Sequence, residues 1–221
     1  MFIDVSSFLS IIISLVATIM ALCIAAPFHE FAHAYAAKRE GDYTAVATRR
    51  CTLAALPHFD IWGFISLFFF GFGWAKPVPV DSRNFKRGRK SEFIVSIAGI
   101  LMNFVLGIVF LFIYMLLIKV ASEFLMTTLY GNLLAQFLNI SISLNFMLAF
   151  FNLLPIYPLD GYRIIDSFCR FDNKFLQVMR QYSTLIYILV LITGIYGFLY
   201  YNTMGLFVDW LIDIFSKLLG I

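Results

Sequence analysis

Two of the three histidines in this chain stand four residues apart, in His29-Glu30-Phe31-Ala32-His33. On a helix that spacing points both imidazoles the same way, as two ligands of one zinc ion require, and Glu30 beside them can act as a base toward water. By residue frequencies, an HExxH arises by chance in roughly one chain in a thousand of this composition. A catalytic zinc commonly takes three protein ligands and leaves one position open, so a third donor must come from elsewhere. His58, Asp60, Asp81, Asp160 and Asp166 are the candidates. Asp160 stands out because it ends a 36-residue charge-free interval, within Asn152-Leu-Leu-Pro155-Ile-Tyr-Pro158-Leu-Asp160-Gly161. The two prolines break the preceding helix and let a new one start around Leu159. An Asp in a first helical turn also compensates the helix dipole, so this position alone leaves both readings open.

The elements that must carry these residues are membrane helices. Of 221 residues, 62% are hydrophobic and 13% charged, and the mean hydropathy of +0.89 is too high for a water-soluble globule. Residues 5–28, 93–118, 124–159 and 181–208 contain no Asp, Glu, Lys, Arg or His. Each reaches the length of about 20 residues that a crossing helix needs. The expected fold class is all-α, a polytopic transmembrane bundle of about five to six spans, including one short or re-entrant segment. Residues 1–221 read as one membrane domain with no appended soluble domain. The first apolar run lacks a basic n-region and reads as retained, within a helix from about Ser7 to Arg39 that Gly41 caps. A net charge of +3, with Lys and Arg in loops between apolar runs, excludes a basic nucleic-acid-binding domain. Three widely spaced cysteines exclude a disulfide scaffold.

Residues 61–75 form a charge-free stretch of only 15 residues with three glycines, Gly63, Gly71 and Gly73. It is too short for a comfortable crossing and is expected to be a re-entrant segment or a short tilted helix. Cytoplasmic loops carry the excess of Lys and Arg. Residues 38–90 hold ten and residues 155–180 hold four, so both segments are expected on the cytosolic side. The apolar piece between residues 50 and 76 must then enter and leave by one face. The last apolar run is expected to fold as a hairpin turning near Tyr201-Asn202, and residues 204–219 form an amphipathic helix or a short span.

These residues resemble the site-2 protease family of intramembrane zinc metalloproteases, whose two signatures, HExxH and NxxPxPxxDG, match His29 to His33 and Asn152 to Gly161. Gly73-Trp-Ala-Lys-Pro-Val-Pro-Val80 and Ala98-Gly-Ile-Leu-Met-Asn103 extend the likeness through most of residues 20–165, with Ile100 where the family often has proline. The resemblance implies His29, His33 and Asp160 as ligands of one Zn2+ per chain, Glu30 as catalytic acid/base, and cleavage of a peptide bond within the membrane. The implied partners are a transmembrane protein substrate and the lipid bilayer, in a multi-pass protein of a prokaryotic cell membrane with its site toward the cytosol. A substrate helix has its carbonyls already hydrogen-bonded, so it must unwind or bind extended against an edge, for which residues 59–73 and the proline loops are candidates. Asn152 and Asn103 are candidate substrate contacts; helix capping and interhelical bonding are their plainer roles. His58 and Asp60, at i and i+2, are expected to make local hydrogen bonds, and Cys23 to pack. The alternative function is a non-catalytic metal-binding transporter or scaffold, against which Glu30 argues, since a structural site needs no base.

Overall fold

The computed structural model describes residues 5–70, 73–169 and 173–221, and among these the regular elements are all helical, without strands. Ten helices follow in order: α1 Val5–Glu40, α2 Thr44–Ala47, α3 Ile61–Phe70, α4 Arg89–Thr127, α5 Leu129–Asn152, α6 Asp160–Phe168, α7 Lys174–Gln181, α8 Ser183–Ile192, α9 Ile195–Tyr200 and α10 Leu206–Leu219. Three of them, α1, α4 and α5, are long and apolar enough to cross a membrane, and the bent pair α8 with α9–α10 makes a fourth if it counts as one span. Dozens of large apolar side chains on these helices face outward, Ile11, Val105 and Ile188 among them. In water that surface would be ruinous; in lipid it is the outer wall of the bundle.

Lipid tails are as apolar as leucine, so the helices associate through close packing and interhelical hydrogen bonds. On α1 the buried positions Ala17, Ala21, Ala25, His29, His33 and Ala37 recur every four residues, a stripe of small side chains that carries the two histidines inward. Cys23, expected to pack, lies off this stripe and faces outward. Helices α4 and α5 pack on that stripe and on each other. Gly107 leaves room for the ring of Phe146, which is wholly buried with Leu111, Met115, Ile142 and Leu211.

The junction between α4 and α5 is a single residue. Helix α4 runs on through a kink at Ala121, and Thr128 caps α5 by accepting from the Gly131 N–H. A Cβ on Gly131 would lie 2.0 Å from the Phe124 carbonyl oxygen, so glycine permits the abrupt reversal. The last apolar run turns not at Tyr201-Asn202, where the backbone is a continuous π-turn, but at Thr193-Gly194. Gly194 there has φ of 69°, open to glycine and costly for other residues. The bend measures 70°.

Helix α3 has ten residues, about 15 Å of rise, half the apolar thickness of a bilayer. Its chain leaves and returns at one place: the Lys76 N–H bonds the His58 carbonyl, and Gly63 lies so close to the Trp74 carbonyl that a Cβ would sit 2.0 Å away. A return to one place is what a re-entrant segment would need, and residues 71 and 72 of the stretch, Gly71 among them, lie outside the described residues.

Two carboxylates at the polar end of α1 tie down the segment that follows. Glu40 receives Arg87 and the Ser91 hydroxyl. Asp42, with no exposed surface, accepts from Thr44, the Asn84 side chain and the Asp81 N–H. Burial opposes the Asp42 charge, yet these donors outweigh it and hold the carboxyl below its usual range. Such a group stabilises the fold above the unfolded carboxylate pKa near 4 and loses that contribution as pH falls further. Asp42→Asn is therefore expected to cost roughly 2–3 kcal/mol at pH 7 in thermal melts of the detergent-solubilised protein, with the gap from wild type closing below about pH 4.

Candidate metal centre

The stripe on α1 places His29 and His33 about 16 and 10 Å before Glu40 along the helix axis, inside the bundle and below its polar end. The His33 Nδ1 lies 2.7 Å from the Val95 carbonyl oxygen, which can only accept, so Nδ1 carries the proton. The His29 Nδ1 lies 2.6 Å from the Asn103 Oδ1. That amide is oriented by its nitrogen, which donates to the Ala25 carbonyl at 3.1 Å, so its oxygen faces His29 and again Nδ1 carries the proton. In the neutral form that a metal ligand must take, each imidazole is thereby set in the tautomer whose Nε2 is free to bind metal.

The two Nε2 atoms lie 3.0 Å apart. The Asp160 Oδ2 completes the triangle at 3.3 Å from His29 and 3.1 Å from His33. This oxygen is buried and has no hydrogen-bond donor. Three potential ligand atoms converging on one point, inside an apolar bundle, are the arrangement that a single cation can join. Tetrahedral zinc with bonds of 2.0–2.1 Å separates its ligand atoms by about 3.3 Å, so the observed triangle fits zinc closely. Among the described residues this is the one group of three or more His, Cys, Asp or Glu side chains whose ligand atoms meet in this way.

Asp160 reaches the histidines because α5 ends at Asn152 and the chain turns back through Pro155 and Pro158 into α6. The turn is tight: a Cβ on Gly161 would lie 2.2 Å from the Leu153 carbonyl oxygen. Tyr157 and Tyr162 meet edge to face, and the Arg180 guanidinium lies 5.6 and 5.8 Å from their centroids. Gly99 of α4 supplies the space for the imidazoles. A Cβ there would fall 2.3 Å from the His33 Nε2 and 2.6 Å from the His29 Cε1, so Gly99→Ala must push both rings off their positions. Its expected result is zinc content below a tenth of wild type, by elemental analysis of the purified protein, with helical circular dichroism unchanged.

Glu30, half-buried next to His29, accepts a hydrogen bond at 2.7 Å from the Val78 N–H. In Pro77-Val78-Pro79 that is the sole backbone donor, because proline has none. Arg50 grips the carbonyls of Lys76 and Pro77 from the other side, while Val78 packs with Ala34 and Ala45. Sequence reasoning counted Arg50 only as a charge marking a loop, and missed Val78, Glu40 and Asp42 as supports. The signal available was weak: a single N–H flanked by prolines, and two acids among basic residues.

The remaining candidates lie elsewhere. His58 bonds the Thr52 carbonyl and Asp60 accepts from the Gly63 N–H, the local roles expected of them. Asp81 is paired with Arg83. Asn152 spends its amide on the Leu148 carbonyl of its own helix. Asn103 has no exposed surface, and its amide is used within the bundle. A direct substrate contact expected of Asn103 therefore has no face to occur on.

Residues 17–194 match Peptidase family M50. The chain is also 34% identical over 201 residues to the "Putative zinc metalloprotease YwhC" of Bacillus subtilis (strain 168), covering 90% of this chain and 91% of that one. No solved structure matches. An HExxH helix, a distant Asp-Gly turn and a zinc-sized triangle inside an apolar bundle agree with both matches: the chain belongs to peptidase family M50, the site-2 protease family, whose zinc metalloproteases work in membranes.

Proposed function

We propose that this chain is an intramembrane zinc endopeptidase that hydrolyses a peptide bond within or near a transmembrane segment of a membrane-protein substrate, the reaction of regulated intramembrane proteolysis. The observation that carries the reading is the convergence of the His29 Nε2, the His33 Nε2 and the orphaned Asp160 Oδ2 within 3.3 Å of one another, with Glu30 on the same helix turn. His29, His33 and Asp160 would hold the ion. When bound, zinc supplies a Lewis acid that polarises the scissile carbonyl and acidifies water.

The protein's own groups supply the rest. Glu30 takes a proton from the attacking water and returns it to the leaving amine. The Val78 N–H fixes one of its carboxylate oxygens, leaving the other free for that exchange. Residues 73–81 run without helix beside Glu30, so an unwound substrate can lie extended against that path and recover backbone hydrogen bonds. The Lys and Arg excess in residues 38–90 and 155–180 supports a site facing the cytosolic leaflet. The bacterial source of the similar metalloprotease supports a prokaryotic membrane.

The test is cleavage of a single-span substrate by the full chain in proteoliposomes. Dialysis against a zinc chelator is expected to abolish cleavage, and zinc at one equivalent to restore it. Full activity in the metal-free protein would reject a zinc peptidase, and cleavage confined to soluble unstructured peptides would reject the membrane substrate.

A further inference from the structure

The wholly buried Asn103 joins three helices with one side chain, its own and two others. From α4 its Oδ1 accepts from the His29 Nδ1 of α1, and its Nδ2 donates to the Ala25 carbonyl of α1 and, at 2.9 Å, to the Asn145 Oδ1 of α5. Asn145 is also without exposed surface and donates in turn to the Ser141 carbonyl at 2.8 Å. Apolar helix faces slide past one another at little cost, whereas a polar bond inside the bundle exists only at one register. Helix α5 also leads, through the proline turn, to Asp160.

Resting on the ligand reading above, we propose that Asn103 and Asn145 form a positioning relay: Asn103 holds the His29 proton on Nδ1 and, through Asn145, locks α1, α4 and α5 at the heights where His29 and Asp160 meet. Neither residue touches substrate or metal. Asn103 imposes the tautomer because its oxygen can only accept; without it the His29 proton is free to move to Nε2 and block the atom that must bind. Asn145 keeps the Asn103 amide from rotating its nitrogen toward His29. The function of the relay is to set zinc affinity, as partners of ligating histidines do elsewhere.

The experiment measures zinc affinity of the full-length, detergent-solubilised chain by competition with a chromophoric chelator, together with thermal melting of the metal-free protein. Asn103→Ala is expected to weaken zinc about 10- to 100-fold, and Asn145→Ala by a smaller factor of about 3- to 10-fold, since Asn103 then keeps His29 but loses its own support. Ser141→Ala, one turn from Asn145 and equally buried, removes a hydroxyl that bonds nothing and should leave affinity within about twofold of wild type, because the relay uses only the Ser141 backbone. The cobalt-substituted Asn103→Ala protein should show a weakened and shifted ligand-field spectrum.

Affinity unchanged in both Asn variants overturns the relay, as does an equal loss in Ser141→Ala, which would mark a general packing effect. If Asn103→Ala does not fold, Asn145→Ala decides alone. His29→Ala separates the two readings: zinc retained in that variant refutes the ligand set itself, whereas zinc lost there but unaffected by both Asn variants refutes only the relay.

Discussion

Glu30→Gln is expected to keep its zinc and lose cleavage by about 1,000-fold, close to 4 kcal/mol of transition-state stabilisation. The substitution preserves shape, and the amide oxygen still accepts the Val78 N–H, so Pro77 to Pro79 and the helix around His29 stay in place. What disappears is basicity. An amide can neither take the proton from water nor deliver it to the leaving amine, so both halves of the reaction suffer while the metal site is untouched. Zinc content and cleavage of a single-span substrate are measured on the same preparation. Cleavage above a tenth of wild type with zinc retained would remove Glu30 from the chemistry. Loss of zinc alongside activity would make Glu30 a support of the site and not its base.

Asp160→Ala is expected to release the metal altogether, from about one zinc per chain to less than a tenth after gel filtration. Two imidazoles alone do not make a catalytic zinc site, which takes three protein ligands. The carboxylate is also the only charge in the triangle that balances the cation, in a setting where water is scarce. Folding should survive. Asp160 begins α6 without a side-chain cap bond, and the tight approach of α6 to α5 depends on Gly161, not on the aspartate. Wild type alone is therefore expected to gain stability on adding zinc. A variant that keeps its zinc would dissolve the proposed ligand set.

Helix positions and membrane character were legible from local pattern. An uninterrupted apolar run with Gly41 after it marks α1, and Gly41 indeed adopts φ of 108° at its end. Pro155 and Pro158 announced the break before α6, and the odd length of residues 61–75 announced its return path. Turns were less legible. The reversal at Thr128 hides in an apolar stretch because it needs only one glycine, Gly131, at the point of closest approach. The bend at Gly194 competes with an equally plausible polar pair at Tyr201-Asn202, and only backbone conformation separates them.

Composition and spacing by themselves determined that this is a membrane helical protein with an HExxH pair facing one way and an Asp-Gly turn after a proline break. Those properties follow from helical periodicity and the cost of charge in lipid, both local in the chain. Tertiary structure alone decided that Asp160, and not Asp60 or Asp81, meets the imidazoles, that Val78 holds Glu30, and that Asn103 serves His29 across 74 positions. Each of these depends on which helix faces meet and at what height, and periodicity within one helix carries no information about its register against another.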